Sequence, residues 1–268
     1  MRRVVFVAIA LGALGRTSPS RADDAEGAPR KLRLWSGSNA LTVPSGRWEV
    51  GLLGATHHGL TDSIELSLHP LLVLALPHLE GKFMAASDRE HMLGLRTRVS
   101  YPTTFLDIVS KEGQFGLLPA SSKPPIAFLL EADAIASSEW FEDELVSVWV
   151  GGAVAVHQSF SPMELPLLDF PFLYQRFAAL YGPGVPRIGF SFEGIVTGGL
   201  AYATELVTYF MPGLPDVDNA TAIEHGLSFE YRFGEHVALS SGLRTSYAKY
   251  PYGRRTHFLP YVDVRTGF

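Results

Sequence analysis

The segment Thr221-Ala222-Ile223-Glu224-His225-Gly226-Leu227-Ser228-Phe229-Glu230-Tyr231-Arg232-Phe233 decides the fold. Successive side chains of a β-strand point to opposite faces. Ile223, His225, Leu227, Phe229, Tyr231 and Phe233 therefore share one face, and Glu224, Gly226, Ser228, Glu230 and Arg232 share the other. The period is two, and the charged residues are confined to one side.

The same scheme runs outward in both directions. After a turn at Gly234-Glu235, Val237, Leu239, Leu243 and Tyr247 oppose Ala238, Ser240, Gly242, Arg244 and Ser246. The last segment sets Phe258, Val262, Val264 and Phe268 against Tyr261, Asp263 and Arg265. Upstream, Ile188, Phe190, Phe192 and Val196 alternate with Arg187, Ser191 and Glu193, and Val146, Val148, Val150, Val154 and Val156 with Ser147, Gly151 and Ala153. Ile126, Phe128 and Leu130 face away from Glu131 and Asp133, and Leu93, Leu95 and Val99 from Arg96 and Arg98. Leu79 and Phe83 oppose Glu80 and Lys82, Ile64, Leu66 and Leu68 oppose Glu65 and Ser67, and Trp48, Val50 and Leu52 oppose Arg47 and Glu49.

A soluble antiparallel sandwich also alternates, so the N-terminus matters. Met1-Arg2-Arg3, the apolar run Val4 to Gly15 and the small residues at Ser20 and Ala22 form a secretory leader, which places residues 1–22 in a signal peptide and 23–268 in the mature domain. After Gly15 no apolar run reaches the roughly 18 residues of a spanning helix. Apolar content of 47% without such a helix fits a transmembrane β-barrel, which hides its apolar residues at alternate positions. The expected fold is all-β: one antiparallel up-and-down barrel in the cell outer membrane, surrounded by its lipid.

Connection lengths set the strand count, because such barrels join strands by short turns on the periplasmic side and longer loops outside. Short turns are expected at Gly234-Glu235, Gly198-Gly199, 137–143, 87–90 and 58–62, and long links at 251–255, 211–220, 160–186, 101–125 and 69–77. With Trp48 to His57 as one descending strand, an even number requires a strand over Leu32 to Leu41, turning at Pro44-Ser45-Gly46. That gives about twelve strands, with ten as the count if Leu32 to Leu41 is not one.

Charge and cysteine content exclude several functions. Losing Arg2, Arg3, Arg16 and Arg21 with the leader takes the formal charge from −5 to −9, which opposes binding to nucleic acid. Without cysteine there is no disulfide, thiolate metal site or thiol nucleophile. No metal or cofactor motif is present in the sequence.

The stretch Leu41-Thr42-Val43-Pro44-Ser45-Gly46-Arg47-Trp48-Glu49-Val50-Gly51, followed by His58-Gly59-Leu60-Thr61-Asp62-Ser63-Ile64-Glu65-Leu66, resembles the start of a broad group of proteobacterial outer-membrane barrels. That group includes proteins named as transporter-like or phenol-degradation-pathway barrels. It shares a Leu-Pro-x-Gly segment, a strand, and a Gly-Leu-Thr-Asp turn before a Leu-Glu-Leu-like strand. Val43 departs from the leucine usual in the first motif. The resemblance implies passage or binding of small, often apolar molecules, and the terminal Phe268 implies recognition by the barrel-assembly machinery. In the turn, glycine is expected to take the left-handed position and Asp62 to bond a following backbone N–H.

The polar strand faces should line the lumen with Glu49, Glu65, Lys82, Arg96, Arg98, Glu131, Asp133, Glu193, Glu224, Glu230, Arg232, Arg244, Asp263 and Arg265. Charges of both signs on one face pair across a narrow lumen and fill it, whereas an open porin would keep them solvated. His157 and Ser159 have the His-x-Ser spacing of some outer-membrane lipid hydrolases, and adjacent same-face positions let histidine act as base. That spacing alone makes a lipid-modifying hydrolase a minor alternative to a non-enzymatic barrel. The consecutive His57 and His58 point to opposite faces, so solvated interfacial histidines are expected rather than a metal pair. Asp216, Asp218 and Asn219 lack calcium-loop spacing and read as an acidic loop.

Two outer loops are unusually apolar. One contains Phe170, Phe172, Leu173, Phe177, Leu180 and Tyr181, and the other contains Phe105, Leu106, Ile108, Val109, Phe115, Leu117 and Leu118. A helix over Asp169 to Tyr181, with Gln175 and Arg176 toward water, would cap the barrel mouth or form a pocket for an apolar ligand. The functional expectation is passage or binding of small molecules, including hydrophobic ones. The alternative of another class is a closed structural or adhesion barrel.

Overall fold

The computed structural model describes residues 35–88, 90–110, 124, 126–141, 143–157, 176–212, 220–250 and 253–268. The leader falls outside them, as do Ser159, Phe170, Phe172, Asp216, Asp218 and Asn219. Twelve antiparallel strands close on themselves, each hydrogen-bonded to its sequence neighbour and β1 to β12. They are β1 (Trp48–Gly51), β2 (Thr56–Thr61), β3 (Ile64–Leu68), β4 (His78–Ser87), β5 (His91–Ser100), β6 (Ala127–Phe141), β7 (Glu144–His157), β8 (Val185–Thr197), β9 (Leu200–Met211), β10 (Ala220–Phe233), β11 (Val237–Tyr250) and β12 (Gly253–Gly267). A short helix α1 (Thr103–Ser110) follows β5.

The alternation sorts the wall into two environments. Phe128, Leu130, Val148, Val150, Ile188, Phe190, Leu206, Leu227, Leu243 and Val262 are exposed on the outside. Such a continuous apolar surface is unfavourable in water and favourable in lipid. Trp48, Trp140, Phe141, Tyr231, Phe233 and Phe268 are also exposed, at the end that carries the short turns, as an interfacial aromatic girdle. No helix among the described residues is long and apolar enough to span a membrane. Closure of the twelve strands satisfies most of the backbone in hydrocarbon, and the upper part of β12, which has no strand on its β1 side among the described residues, is the exception. The chain is a β-barrel of the outer-membrane type.

Three details differ from the sequence reading. Residues 35–41 are not a strand; they lie inside the barrel, and 32–34 fall outside the described residues. Trp48 to His57 is broken at 52–55 into β1 and β2, which keeps the count at twelve. The cause of the break is Asp263 on β12, whose Oδ1 accepts the Leu53 N–H at 2.7 Å and ends the ladder there. Only 251–252 separate β11 from β12, so two of the outer links are short.

The β2–β3 turn also differs. Gly59 lies within β2, where a Cβ would crowd the carbonyl oxygen of Val43 at 2.5 Å. Glycine is needed there for close approach of the chain leading into β1, not for a left-handed turn. Asp62 Oδ1 accepts the N–H of Ser45 at 3.1 Å, which ties the turn to that same chain.

Candidate functional site

The lumen is filled from three directions. From the periplasmic end, residues 35–43 run into it as a floor held by side-chain hydrogen bonds rather than by strand pairing. Val43 N–H donates to Glu65 Oε2 (2.9 Å), Ala40 N–H to Ser137 Oγ (2.9 Å), and Ser36 N–H to Glu49 Oε2 (2.8 Å). The Asn39 amide donates to Glu193 Oε2 (3.0 Å), and Lys82 Nζ donates to Ser36 Oγ (3.1 Å). Trp35 is buried beneath the guanidinium groups of Arg47 and Arg265, each 5.2 Å from its ring centre.

From the outer end, a 3-10 turn over Phe177–Leu180 enters the mouth, and Phe177, Ala178, Ala179, Leu180 and Tyr181 are all buried. The expected helix does not run through Arg176, whose backbone is extended, and Arg176 does not face water. It is 3% exposed, donating to Glu224 Oε1 (2.6 Å), Ser246 Oγ (2.9 Å) and Tyr250 Oη (3.0 Å) while lying 4.9 Å from the Tyr209 ring centre. A guanidinium that leaves water is tolerated where a carboxylate and other partners replace the solvent, as Glu224, Ser246, Tyr250 and the Tyr209 ring do here. This anchor holds the apolar cap in place. Residues 169–175 of that segment fall outside the described residues.

The third filling comes from the wall. Met92, Leu129, Ile135, Leu145, Trp149 and Val207 point inward and join Ala40 and Leu41 of the floor, Leu106 and Val109 of α1, and the 177–181 cap in one hydrophobic cluster. The polar-lumen reading did not include them. Trp149 packs over Gly189, with Arg96 5.6 Å from its ring centre. One side of the lumen is thus a conventional core.

Charged residues organise the rest, and those singled out from the sequence all point inward. Glu80, Arg98, Glu131, Arg187, Asp133 and Arg96 form a continuous alternating network across β4, β5, β6 and β8. Arg98 bonds Glu80 and reaches Glu131 (3.5 Å), Arg187 bonds Glu131 (3.2 Å) and Asp133 (2.7 Å), and Arg96 bonds Asp133 (2.9 Å). Arg187 forms bidentate contacts with two carboxylates, a geometry suited to guanidinium. Near the floor, Arg265 joins Glu49 and Glu230, and Arg232 bonds Glu230 (2.7 Å). Glu65 sits between Lys82 (3.3 Å) and His57 (2.9 Å).

His57 is therefore a lumen residue and not a solvated one. His58 lies outside, stacked 4.0 Å from Trp48. His157 ends β7, and its proposed partner Ser159 falls outside the described residues. Among the described residues no cluster of His, Asp and Glu is arranged to hold a metal. Arg244 lies 6.0 Å from the Tyr261 ring centre on the far wall, and Asp263 holds the β1–β2 turn.

Between these fillings remains a cavity of about 530 Å³. Trp35, Ser36 and Gly37 form its floor, and Lys82, Arg98, Glu205, Arg232, Arg244 and Asp263 project into it from opposite walls.

No family model and no curated protein sequence matches the chain. Among solved structures it is similar to the NanC porin, with a TM-score of 0.46 and 9% identity over 82% of this chain and 96% of that one. It is also similar to outer-membrane expressed OmpT of Vibrio cholerae, with a TM-score of 0.41 and 8% identity over 80% of this chain and 62% of that one. For Acinetobacter baumannii OccAB2 the TM-score is 0.38 and the identity 12%, over 84% of this chain and 54% of that one. The chain spans less than two thirds of the OmpT and OccAB2 chains.

Proposed function

We propose that this barrel binds small molecules in the lumen cavity and passes them across the outer membrane when the floor segment shifts, without acting as an enzyme. The observation that carries this reading is a cavity of about 530 Å³ bounded by a floor that no strand pairing fixes. Small-molecule sites typically measure roughly 300–1,000 Å³. Trp35, Tyr261 and Leu259 give the cavity apolar surface beside its charges, which suits solutes with both polar and hydrophobic parts. The buried acids and bases are engaged with one another, a role of support rather than of proton transfer.

Swelling of proteoliposomes in arabinose or glycine tests the reading. Slow swelling with the native chain, accelerated when Ser36→Gly and Asn39→Ala loosen the floor, is expected. Impermeable vesicles in both cases would favour the other reading, a closed structural barrel. That second reading is supported by the mutual neutralisation of the Glu80 to Arg96 network.

A further inference from the structure

The barrel wall is uneven in height. β1, β2 and β3 have four, six and five residues, whereas β12 beside them has fifteen. β1 pairs with β12 only from Gly267 to Arg265, and the Leu52 N–H reaches the Val264 carbonyl just above. Over 253–262, β12 has no strand beside it on the β1 side among the described residues. At about 3.3 Å per residue that edge is about 33 Å long. A spanning strand needs roughly 9–11 residues, so the gap starts within the hydrocarbon layer and continues to the outer surface.

The sequence marks this edge independently. Trp48 and Leu52 bond the carbonyls of Phe268 and Val264, so even-numbered residues of β12 aim their backbone groups at the β1 side. Pro260 belongs to that set, and its missing N–H leaves no donor unpaired at that position of the open edge. Below it, Asp263 closes the base of the gap through Leu53, and Gly51 and Gly54 make room, since a Cβ would come within 2.9 and 2.5 Å of its carboxylate.

Exposure changes across this edge. Arg255 and His257 face the lumen side yet are exposed, while Ala248 and Ser246, their partners across β11, are buried, and Leu259 is exposed together with its partner Arg244. The cavity extends to Leu53, Leu72 and Leu259 at the gap. Exposed Leu52, Leu53, Leu71, Leu74 and Phe258 form an apolar rim. Across 241–262 the sequence carries Arg244, Lys249, Arg254, Arg255 and His257 and no acidic residue.

We infer that the lumen cavity opens sideways into the outer half of the membrane through this gap, and that the gap takes an anionic amphiphile with a single apolar chain. The head sits at Arg255 and His257 at the outer surface, and the chain descends along Phe258 and Leu259 toward Leu53. This orientation is that of an outer-leaflet lipid, so the ligand arrives without leaving the bilayer. The inference rests on the lumen-binding reading and adds its route and substrate class.

The chain has no cysteine, so single labels are clean. Leu53→Cys at the gap and Val150→Cys on the distant lipid-facing wall would each carry bimane in proteoliposomes, with 12-doxylstearate as quencher. Quenching at position 53 should saturate and be displaced by laurate, while quenching at position 150 should rise linearly. The methyl ester should bind more weakly, and Arg255→Glu with His257→Glu should cut the affinity for the acid about tenfold. Linear quenching at both positions would overturn the lateral opening, and saturation unaffected by esterification or charge reversal would overturn the anionic head. Persistent solute-driven swelling alongside linear quenching would leave the lumen reading standing, while loss of both would remove it. Heat-modifiable migration on unboiled gels verifies that each variant is folded.

Discussion

The Asn39 side chain donates to Glu193 Oε2 across 3.0 Å, joining a residue of the lumen floor to one of β8 that lies 154 positions later in the chain. Ser191 Oγ donates to the other oxygen of the same buried carboxylate at 3.3 Å. Asn39→Ala removes a donor from a carboxylate that cannot recover it from bulk water. A loss of about 1–3 kcal/mol is expected in detergent unfolding followed by gel mobility. Glu193→Gln combined with Asn39→Ala should recover part of it, because the charge that needed the donor is gone.

Arg187 joins Glu131 and Asp133 at the centre of the ionic network. Arg187→Ala leaves two buried carboxylates short of their shared cation, and a loss of about 3–5 kcal/mol is expected. Arg187→Lys should rescue little, since an ammonium cannot make two bidentate pairs. Urea titration of the refolded barrel measures both, and a near-native midpoint for the alanine variant would show that the network does not support the lumen.

Trp149 occupies the space above Gly189 on the neighbouring strand. A methyl group there meets the indole ring directly, so Gly189→Ala should cost about 1–3 kcal/mol through overpacking. Near-ultraviolet circular dichroism should lose intensity as the indole is displaced, while far-ultraviolet spectra remain those of a barrel.

Phe268 ends the chain beside β1, its N–H and carbonyl exchanging hydrogen bonds with Trp48. Its deletion removes that closing pair. Outer-membrane levels in fractionated cells should fall, and unchanged levels would show that closure and delivery do not depend on it.

Much of the wall was legible because its determinants are local: the side-chain period of two needs only neighbours in sequence. Glu65, Lys82, Arg96 and Asp133 could be assigned to one face from alternation alone. The contents of the lumen were not legible, because they depend on distant partners. Leu32 to Leu41 reads as a weak strand until Glu193 and Ser137 are brought to Asn39 and Ala40 by closure of the barrel. The break at Leu53 needs Asp263, 210 residues away. Arg176 reads as a solvent-facing residue until Glu224, Ser246 and Tyr250 surround it. Ile135 and Trp149, large apolar side chains on the polar face of their strands, mark an inside that is packed rather than wet.

The floor segment is the element on which the functional account turns, and single-channel recording in planar bilayers tests it most directly. The native barrel should show small or rare conductance steps, and the chain lacking residues 35–43 should show frequent steps of larger, uniform size as the floor is removed from an intact wall. Equal, silent traces from both proteins, each verified as folded by its gel mobility, would contradict the claim that this segment closes a usable passage.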